Sequence, residues 1–392
     1  MKIAVLEWSC GGGLLTTAAG KASESLCREG WLMLSNLADG LAEAGCDVLM
    51  PVDLRGVPWA AARGRAHIID VPCRMPTTFE KLLSRWAYIA SECDYVWVIA
   101  PEIDGLLPHI LERLRSEGQQ LLNCQGEFLR NCSNKLLTAD ALTAAGVPHP
   151  ATTVLAEFDE AWLVATASRR EPGDQHQANA RWVIKPASGA GGTDQRLVTR
   201  KQLRQLSYST ADAWYSTKNY CGSRDSYAWL VQPWLPGRSA SCTAIVDARG
   251  KRHWLPLVSQ DFRAPQSLDE GTHSFMQASD SAAFAPQYVG CTYPCAELPS
   301  AAPRAMLEAA LDALGRGAYG PVGVDLLFNS TTQTWTVIEV NARCTSSLTA
   351  MAAAYHGNLV GDIFRLLTES GEAAVAELPE RVSPFQFRVA SA

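Results

Sequence analysis

The stretch from Val322 to Arg343, VGVDLLFNSTTQTWTVIEVNAR, places two apolar runs around a polar turn, the pattern of a β-hairpin. The first run carries Asp325, and the second carries Glu339 and Asn341. Residues two apart in a strand face the same way, so Glu339 and Asn341 share a face, with Arg343 two residues further. Pairing of the two runs brings Asp325 beside them. Acids inside such apolar runs are costly to bury alone. An oxygen-only cluster on a rigid hairpin suits Mg²⁺, which keeps several waters and shares its shell with phosphates. The plainer alternative is a hairpin with a few polar edge residues.

What precedes the hairpin decides what it can serve. The chain has 392 residues, enough for two or three domains with a sizeable core. A net charge of −6 argues against a broad nucleic-acid surface and leaves room for a local basic pocket. The twelve cysteines contain no CxxC pair, so a zinc site is not expected. Buried thiols in a reduced, cytoplasmic protein are the simpler reading. No apolar run reaches membrane-spanning length. The opening MKIAVLEWSCGGGL reads as a first buried strand and not as a signal peptide.

Residues 2–6 form that strand, and the CGGGLLT loop after it allows close approach of a ligand to backbone N–H groups. Helical spacing over 24–44 stops at Gly45. Strands follow at 46–50, 66–71, 94–102 and 120–124, with helices at 79–90 and 106–117. This alternation predicts a parallel sheet, in which ligands gather at the carboxyl ends of strands. Glu7, Glu102 and Asp104 stand at or just after such ends, either to hold a substrate amine or as solvated loop acids.

From Asn134 a helix begins, with Lys135 at its start and Gly146 as its C-cap. A helix at 161–167 precedes a polar insertion, 168–180. RWVIKP is a strand ending in Lys185, followed by a loop with Gly189, Gly191 and Gly192, then a short strand. Such a loop can fold over phosphates. YAWLVQPWLPGRSASCTAIVD gives two strands joined at Pro236-Gly237, and WLPLVSQDF another. Residues 263–283 read as a loop, 303–314 and 357–367 as helices, and the tail has no pattern. Two lysines and a glycine loop can neutralise a triphosphate, strand backbone near Gln232 can read an adenine edge, and the hairpin can hold Mg²⁺. Together they supply what phosphoryl transfer needs.

With these residues in this order, the chain resembles the ATP-grasp ligases over roughly residues 95–350. The resemblance rests on VIKP…SGAGGTD, LVQPWLPG and GVDLLF…IEVNAR. It implies an α/β fold, α+β in its C-terminal part. A Rossmann-like, parallel-sheet pre-ATP-grasp domain would span 1–124, a lid subdomain 125–232 and a C-terminal subdomain 233–392. By the same resemblance, Lys135 and Lys185 contact the nucleotide phosphates, and the loop Ser188 to Thr193 (Ser188, Gly189, Gly191, Gly192, Thr193) closes over them. Gln232, Pro233, Trp234 and Leu235 line the adenine. Asp325, Glu339 and Asn341 bind one or two Mg²⁺, with Mn²⁺ as a substitute. Arg343 stabilises the transferred phosphoryl group, and with Lys185 would be catalytic. Ser346 holds the acyl substrate or caps the following helix.

More narrowly, the chain is similar to the branch containing tyramine–glutamate ligase, of methanofuran-type cofactor biosynthesis. That likeness rests on the Glu7 strand end, EGWLML, APEIDGLL and EVNARCTSSLTAM. Asn134 stands where the family commonly has Asp, and Ala342 where Pro is usual. The expected activity is ATP-dependent carboxylate–amine ligation through an acyl phosphate, acting on small molecules, with no nucleic-acid or membrane partner and a homodimer as the default assembly. The competing readings are a bicarbonate-activating enzyme of the carbamoyl-phosphate or biotin-carboxylase kind, and a non-catalytic ATP-binding regulator.

Overall fold

A computed structural model describes residues 1–16, 24–55, 57, 67–70, 78–167, 180–189, 195–208, 228–263, 287–369 and 382–388. The N-terminal strand β1 (Lys2–Glu7) is buried over most of its length. Helix α1 (Glu24–Glu43) leads to β2 (Asp47–Val52), β3 (His67–Asp70), α2 (Phe79–Ser91), β4 (Tyr95–Ile99) and α3 (Leu106–Ser116). These four strands pair in parallel in the order β3-β2-β1-β4. Alternate residues of β1 and β4 enter different cores. Ala4, Leu6, Val96 and Val98 pack on the side of α2 and α3, and Ile3, Val5, Trp97 and Ile99 on the side of α1. The connection reverses between β1 and β4, the switch point where open parallel sheets take ligands. Glu7 ends β1 there, and Glu102 follows β4.

The strand expected at 120–124 is reduced to a single bridge between Val96 and Leu121. The reason is local. The Asn123 side-chain amide accepts from Val98 N (2.9 Å) and donates to Val98 O (2.8 Å), taking the ladder position a further strand would need.

Helices α4 (Gly126–Cys132) and α5 (Lys135–Ala144) lead into a small antiparallel sheet. It contains β5 (Thr153–Val154), α6 (Glu160–Ala167), β6 (Arg181–Pro186), β7 (Arg196–Thr199), α7 (Arg200–Tyr208) and β8 (Trp229–Pro233), with strand order β5-β8-β6-β7. Leu155, Leu163, Trp182, Ile184, Leu203 and Val231 form a core of its own. Most of the 168–180 insertion lies outside the described residues.

The third sheet holds β9 (Arg238–Val246), β10 (Arg252–Trp254), β11 (Val258–Arg263), β12 (Gln287–Tyr293), β13 (Gly320–Asn329) and β14 (Thr334–Asn341). Helix α8 (Arg304–Ala313) lies between β12 and β13, and α9 (Ser346–Ala354), α10 (Leu359–Thr368) and β15 (Phe385–Arg388) follow β14. The strand order is β14-β13-β9-β11-β12-β15, with β10 also on β9. The single strand expected from WLPLVSQDF is two, interrupted around Pro256, which has no N–H to give a ladder. Strands β12 and β15 had no pattern of their own in the sequence, and they pair with each other. The predicted 263–283 loop lies almost wholly outside the described residues. The cores beneath the N-terminal sheet continue under this one. Ala240, Cys242, Val324 and Leu326 join the α2–α3 side, and Leu348, Ile363 and Phe364 join the α1 side.

Candidate active site

The hairpin β13–β14 pairs as its pattern predicts. Asp325 lies opposite Glu339 and Gly323 opposite Asn341, and a register shift follows Asp325. That irregularity lets the Asn341 amide reach sideways and donate to Asp325 Oδ2 (3.1 Å). Gln260 of β11 donates to the other carboxylate oxygen at 2.9 Å. Burial, and then the charge of Glu339, push the Asp325 carboxyl up to about 6.

Glu339, opposite Asp325 on the hairpin, also reaches α5. Its Oε1 lies 2.7 Å from Lys135 Nζ, an ion pair spanning the hairpin and the first turn of α5. Burial alone would raise Glu339, but Lys135 and then Lys185 hold it below the usual carboxylate range. Lys135 also donates its backbone N–H to Ala187 O (2.7 Å) and its ammonium to Gly189 O, so α5 begins against the glycine loop. Lys185, at the end of β6, is 4% exposed. Among the described residues no acid lies within ion-pair distance of its Nζ. Burial lowers Lys185 to about 8, with Glu339 opposing that shift. A buried ammonium without a counter-ion at bonding distance invites an anionic ligand.

Between α5, β8 and β14 runs a cleft lined by Lys135, Thr138, Leu142, His149, Gln232 and Glu339. Gln232 is buried, and its amide donates to Thr152 Oγ1 (2.8 Å). Trp234 is partly exposed and gives its backbone N–H to Arg181 O (2.9 Å), so that donor is already used inside the small sheet. Pro233 ends β8 beside them, and Leu235 is half-buried. His149 was not singled out from the sequence. Burial holds its imidazole below the usual range, and Thr143 Oγ1 sits 2.7 Å from its Nε2.

Beyond the end of β14, Arg343 turns toward the N-terminal sheet. Its Nε is 2.8 Å from Glu102 Oε2, and its Nη1 donates to Cys344 O (3.1 Å). The backbone of the same turn holds the glycine loop. Ser188 Oγ donates to Glu102 O (2.8 Å) and accepts from Asp104 N (2.5 Å). Asp104 sits in a left-handed conformation (φ 48°), uncommon for a residue with a Cβ. Ser346 opens α9 and is not its N-cap; that position is Thr345, whose side chain makes no capping bond. Glu7 is buried, with Oε2 accepting from Cys10 N (2.6 Å) and packed on Gly30 of α1. No contact joins it to Arg343. Gly191, Gly192 and Thr193 lie outside the described residues.

A family profile described as the ATP-grasp domain matches residues 132–347, more than half of the chain, and one described as pre ATP-grasp 3 domain matches residues 46–127. The chain belongs to the ATP-grasp family. The fold is the ATP-grasp fold with an N-terminal parallel-sheet domain. No curated protein sequence matches it. Solved structures match over nearly the whole length at low identity. One is an ATP-grasp superfamily protein from Archaeoglobus fulgidus, with 18% identity, a TM-score of 0.57, and coverage of 93% of this chain and 87% of that one. Another is an L-amino acid ligase from Bacillus licheniformis, with 15% identity, a TM-score of 0.56, and coverage of 98% and 77%. A biotin carboxylase from Campylobacter jejuni shows 12% identity, a TM-score of 0.61, and coverage of 95% and 72%.

For this ATP-grasp chain, the departure at Asn134 has a structural account. Asn134 is the N-cap of α5, and its Oδ1 accepts from Leu136 N (2.9 Å) and Leu137 N (3.4 Å), a role Asn and Asp fill equally. Ala342 is buried in the α2–α3 core. The sequence reading missed Glu29 and Tyr288. Glu29, on α1, is raised by burial and drawn back by the Arg343 charge and the Ser346 hydroxyl. Tyr288, on β12, has a buried hydroxyl without a hydrogen-bond partner among the described residues, and burial raises it. The available signal for Glu29 was an acid in a helix turn directed at the sheet, next to a glycine. Tyr288 had none, since β12 itself could not be recognised.

Proposed function

We propose that this protein is an ATP-dependent ligase joining a carboxylate to an amine through an acyl phosphate. The observation that carries this reading is the convergence on Glu339 of two lysines from separate elements, Lys135 at 2.7 Å and the buried Lys185, beside the Asp325–Asn341 pair. In this reading Lys135, Lys185 and the loop of Ser188, Gly189, Gly191, Gly192 and Thr193 hold the nucleotide phosphates. Gln232, Pro233, Trp234 and Leu235 line the adenine side of the cleft.

Asp325, Glu339 and Asn341 would hold Mg²⁺, or Mn²⁺ in its place. Among the described residues no three His, Cys, Asp or Glu side chains cluster as a metal site. The proposed set has two carboxylates, directly opposed across the strands, and one amide. Such an all-oxygen set fits an ion that completes its shell with water and phosphate. When bound, the ion would offset charge on the phosphates. Arg343 orients the substrate carboxylate and spreads the developing charge over a planar fork. Glu102 fixes the Arg343 guanidinium. Closure of the 188–193 loop keeps water from the acyl phosphate. Ser346, Glu7 and Asp104 complete the substrate side, Asp104 through its hold on Ser188. The domain limits that go with this reading are 1–124, 125–232 and 233–392.

Glutamate and tyramine are the first pair to test, on the likeness to the tyramine–glutamate ligase branch. The experiment is ADP release over a panel of carboxylates and amines, with the amide product identified by mass. ADP and amide together are expected. ADP release driven by bicarbonate alone would replace this reading with a carboxylating one. Tight binding of ATP and Mg²⁺ without ADP from any pair would leave a nucleotide-binding regulator.

A further inference from the structure

A closed ring of contacts joins the three sheets at the site. It starts at Glu339 on β14, whose Oε1 lies 2.7 Å from Lys135 Nζ. Lys135 donates its backbone N–H to Ala187 O (2.7 Å) and its ammonium to Gly189 O (2.5 Å). Between those two carbonyls stands Ser188, just past the end of β6. Its Oγ donates to Glu102 O (2.8 Å) and accepts from Asp104 N (2.5 Å), in the turn that follows β4. Glu102 Oε2 then returns to Arg343 Nε (2.8 Å), on the turn that ends β14.

The turn at 102–104 is built as a stiff link in that ring. Ser188 grips main-chain atoms, so a displaced Ser188 moves the backbone that carries the Glu102 carboxylate. The turn has little freedom to absorb such a shift, because Asp104 (φ 48°) and Gly105 (φ 73°) are both left-handed. Ser188, Glu102 and Asp104 are all buried, so water is poorly placed to replace a lost bond. Glu102 Oε1 has no hydrogen-bond partner, and its carboxylate is oriented from one side alone, by Arg343. Among the described residues Glu102 is also the only acid in ion-pair contact with Arg343. The guanidinium thus takes its direction from the main chain at Glu102, which takes its own from Ser188.

We propose that Ser188 is a positioning residue for Arg343, acting through the 102–104 turn, and that it couples the phosphate side of the site to the orientation of this guanidinium. The proposal rests on the ligase reading for what the two ends bind, and goes beyond it by making them dependent on each other. The consequence is an order of events. Nucleotide that seats the start of the glycine loop sets Arg343 for the incoming carboxylate, so the two affinities are linked.

The test follows the Arg343 Nε–H in nitrogen-edited proton spectra of the whole protein, the signal being identified by its loss in Arg343→Lys. Ser188→Ala is expected to speed exchange of that proton with water about fivefold, the effect of one lost hydrogen bond, with amide exchange in β13 unchanged. Ser188→Thr, which keeps the hydroxyl, is expected to restore the slow rate. ADP with Mg²⁺ at saturation is expected to slow the exchange in the wild type and not in Ser188→Ala. Exchange unchanged in Ser188→Ala, an equal ADP response in both proteins, or no response in the wild type at saturation would each overturn the proposal. Ser188→Cys, close in size and only a weak donor, takes the place of Ser188→Ala if that variant does not fold. Calorimetry with ADP keeps the two readings apart. Absence of ADP binding would overturn the ligase reading, while the exchange rates of wild type and Ser188→Ala without ADP still decide this one.

Discussion

Lys135 and Lys185 both act on Glu339, but they are held differently. Lys135 is paired at 2.7 Å, whereas Lys185 is buried without a described acid at bonding distance. Lys185→Ala should therefore weaken ATP binding by tenfold or more, with the fold intact, and calorimetry showing equal affinity would return Lys185 to a structural role. Asp325→Ala and Glu339→Ala should each abolish ADP formation without loss of circular dichroism, and unchanged turnover in both would remove the metal assignment. A separate expectation concerns Glu7. Burial pushes it up to about 7, against the bonds from Cys10 and Ser9. Its partner Cys10 is in turn influenced by Cys27 and Asp53. The folded state then holds a proton that the unfolded chain releases from about pH 4.5, so Glu7 stabilises below that value and the contribution is lost as pH rises through about 7. The loss is at most on the order of 3 kcal/mol. Glu7→Gln should flatten melting temperature against pH across that window, and an unchanged slope would show Glu7 to be ordinary. The grouping of Asp325, Glu339 and Asn341 on the hairpin was legible at this scale because strand alternation fixes which residues share a face. The Lys135–Glu339 pair was not, because 204 positions separate its members and no local period links them. Glu29 was missed because its helical spacing describes only the apolar residues around it.

At the scale of elements, local chemistry set most boundaries. Gly45 closes α1 in the left-handed region, and Asn134 opens α5. Asn134→Ala should cost about 1 kcal/mol in urea denaturation, while Asn134→Asp should be neutral. A loss equal for both would assign the effect to something other than the cap. Strands without an internal pattern were invisible. β12 and β15 hold each other through pairing across the chain, and Gly290 makes that pairing possible. At φ 153°, a Cβ on Gly290 would lie 2.0 Å from Phe387 O. Gly290→Ala should detach β15 and lower stability by about 2 kcal/mol, read as faster hydrogen exchange in β12 than in β13. Asn123 shows the reverse error, an expected strand whose ladder position is taken by a side-chain amide.

For the whole molecule, alternating strands and helices were enough to specify the N-terminal parallel sheet, and the order of lysines, glycine loop and hairpin specified the family. How the parts meet was not readable, because the contacts that join them are single side chains. Ser188 is one such joint, bonding the glycine loop of the small sheet to the backbone at Glu102 and Asp104. Ser188→Ala should leave the cores unchanged and raise hydrogen exchange in β6 and β8 above that in β13. Exchange unchanged in β6 and β8 would show that the small sheet is held by other means.

The Lys135–Glu339 pair has a further consequence for how the site fills. Without ligand, the lysine proposed to hold phosphate and the carboxylate proposed to hold metal neutralise each other. Bare nucleotide would have to leave Glu339 uncompensated, and bare metal would strand Lys135. Each alone must break the pair, whereas the two arriving together exchange one internal bond for two external ones. On the ligase reading, nucleotide and metal would therefore each raise the affinity for the other by the same factor. Half-saturation by either one alone should then need a higher concentration than in the presence of the other, as calorimetry with and without the second ligand would show.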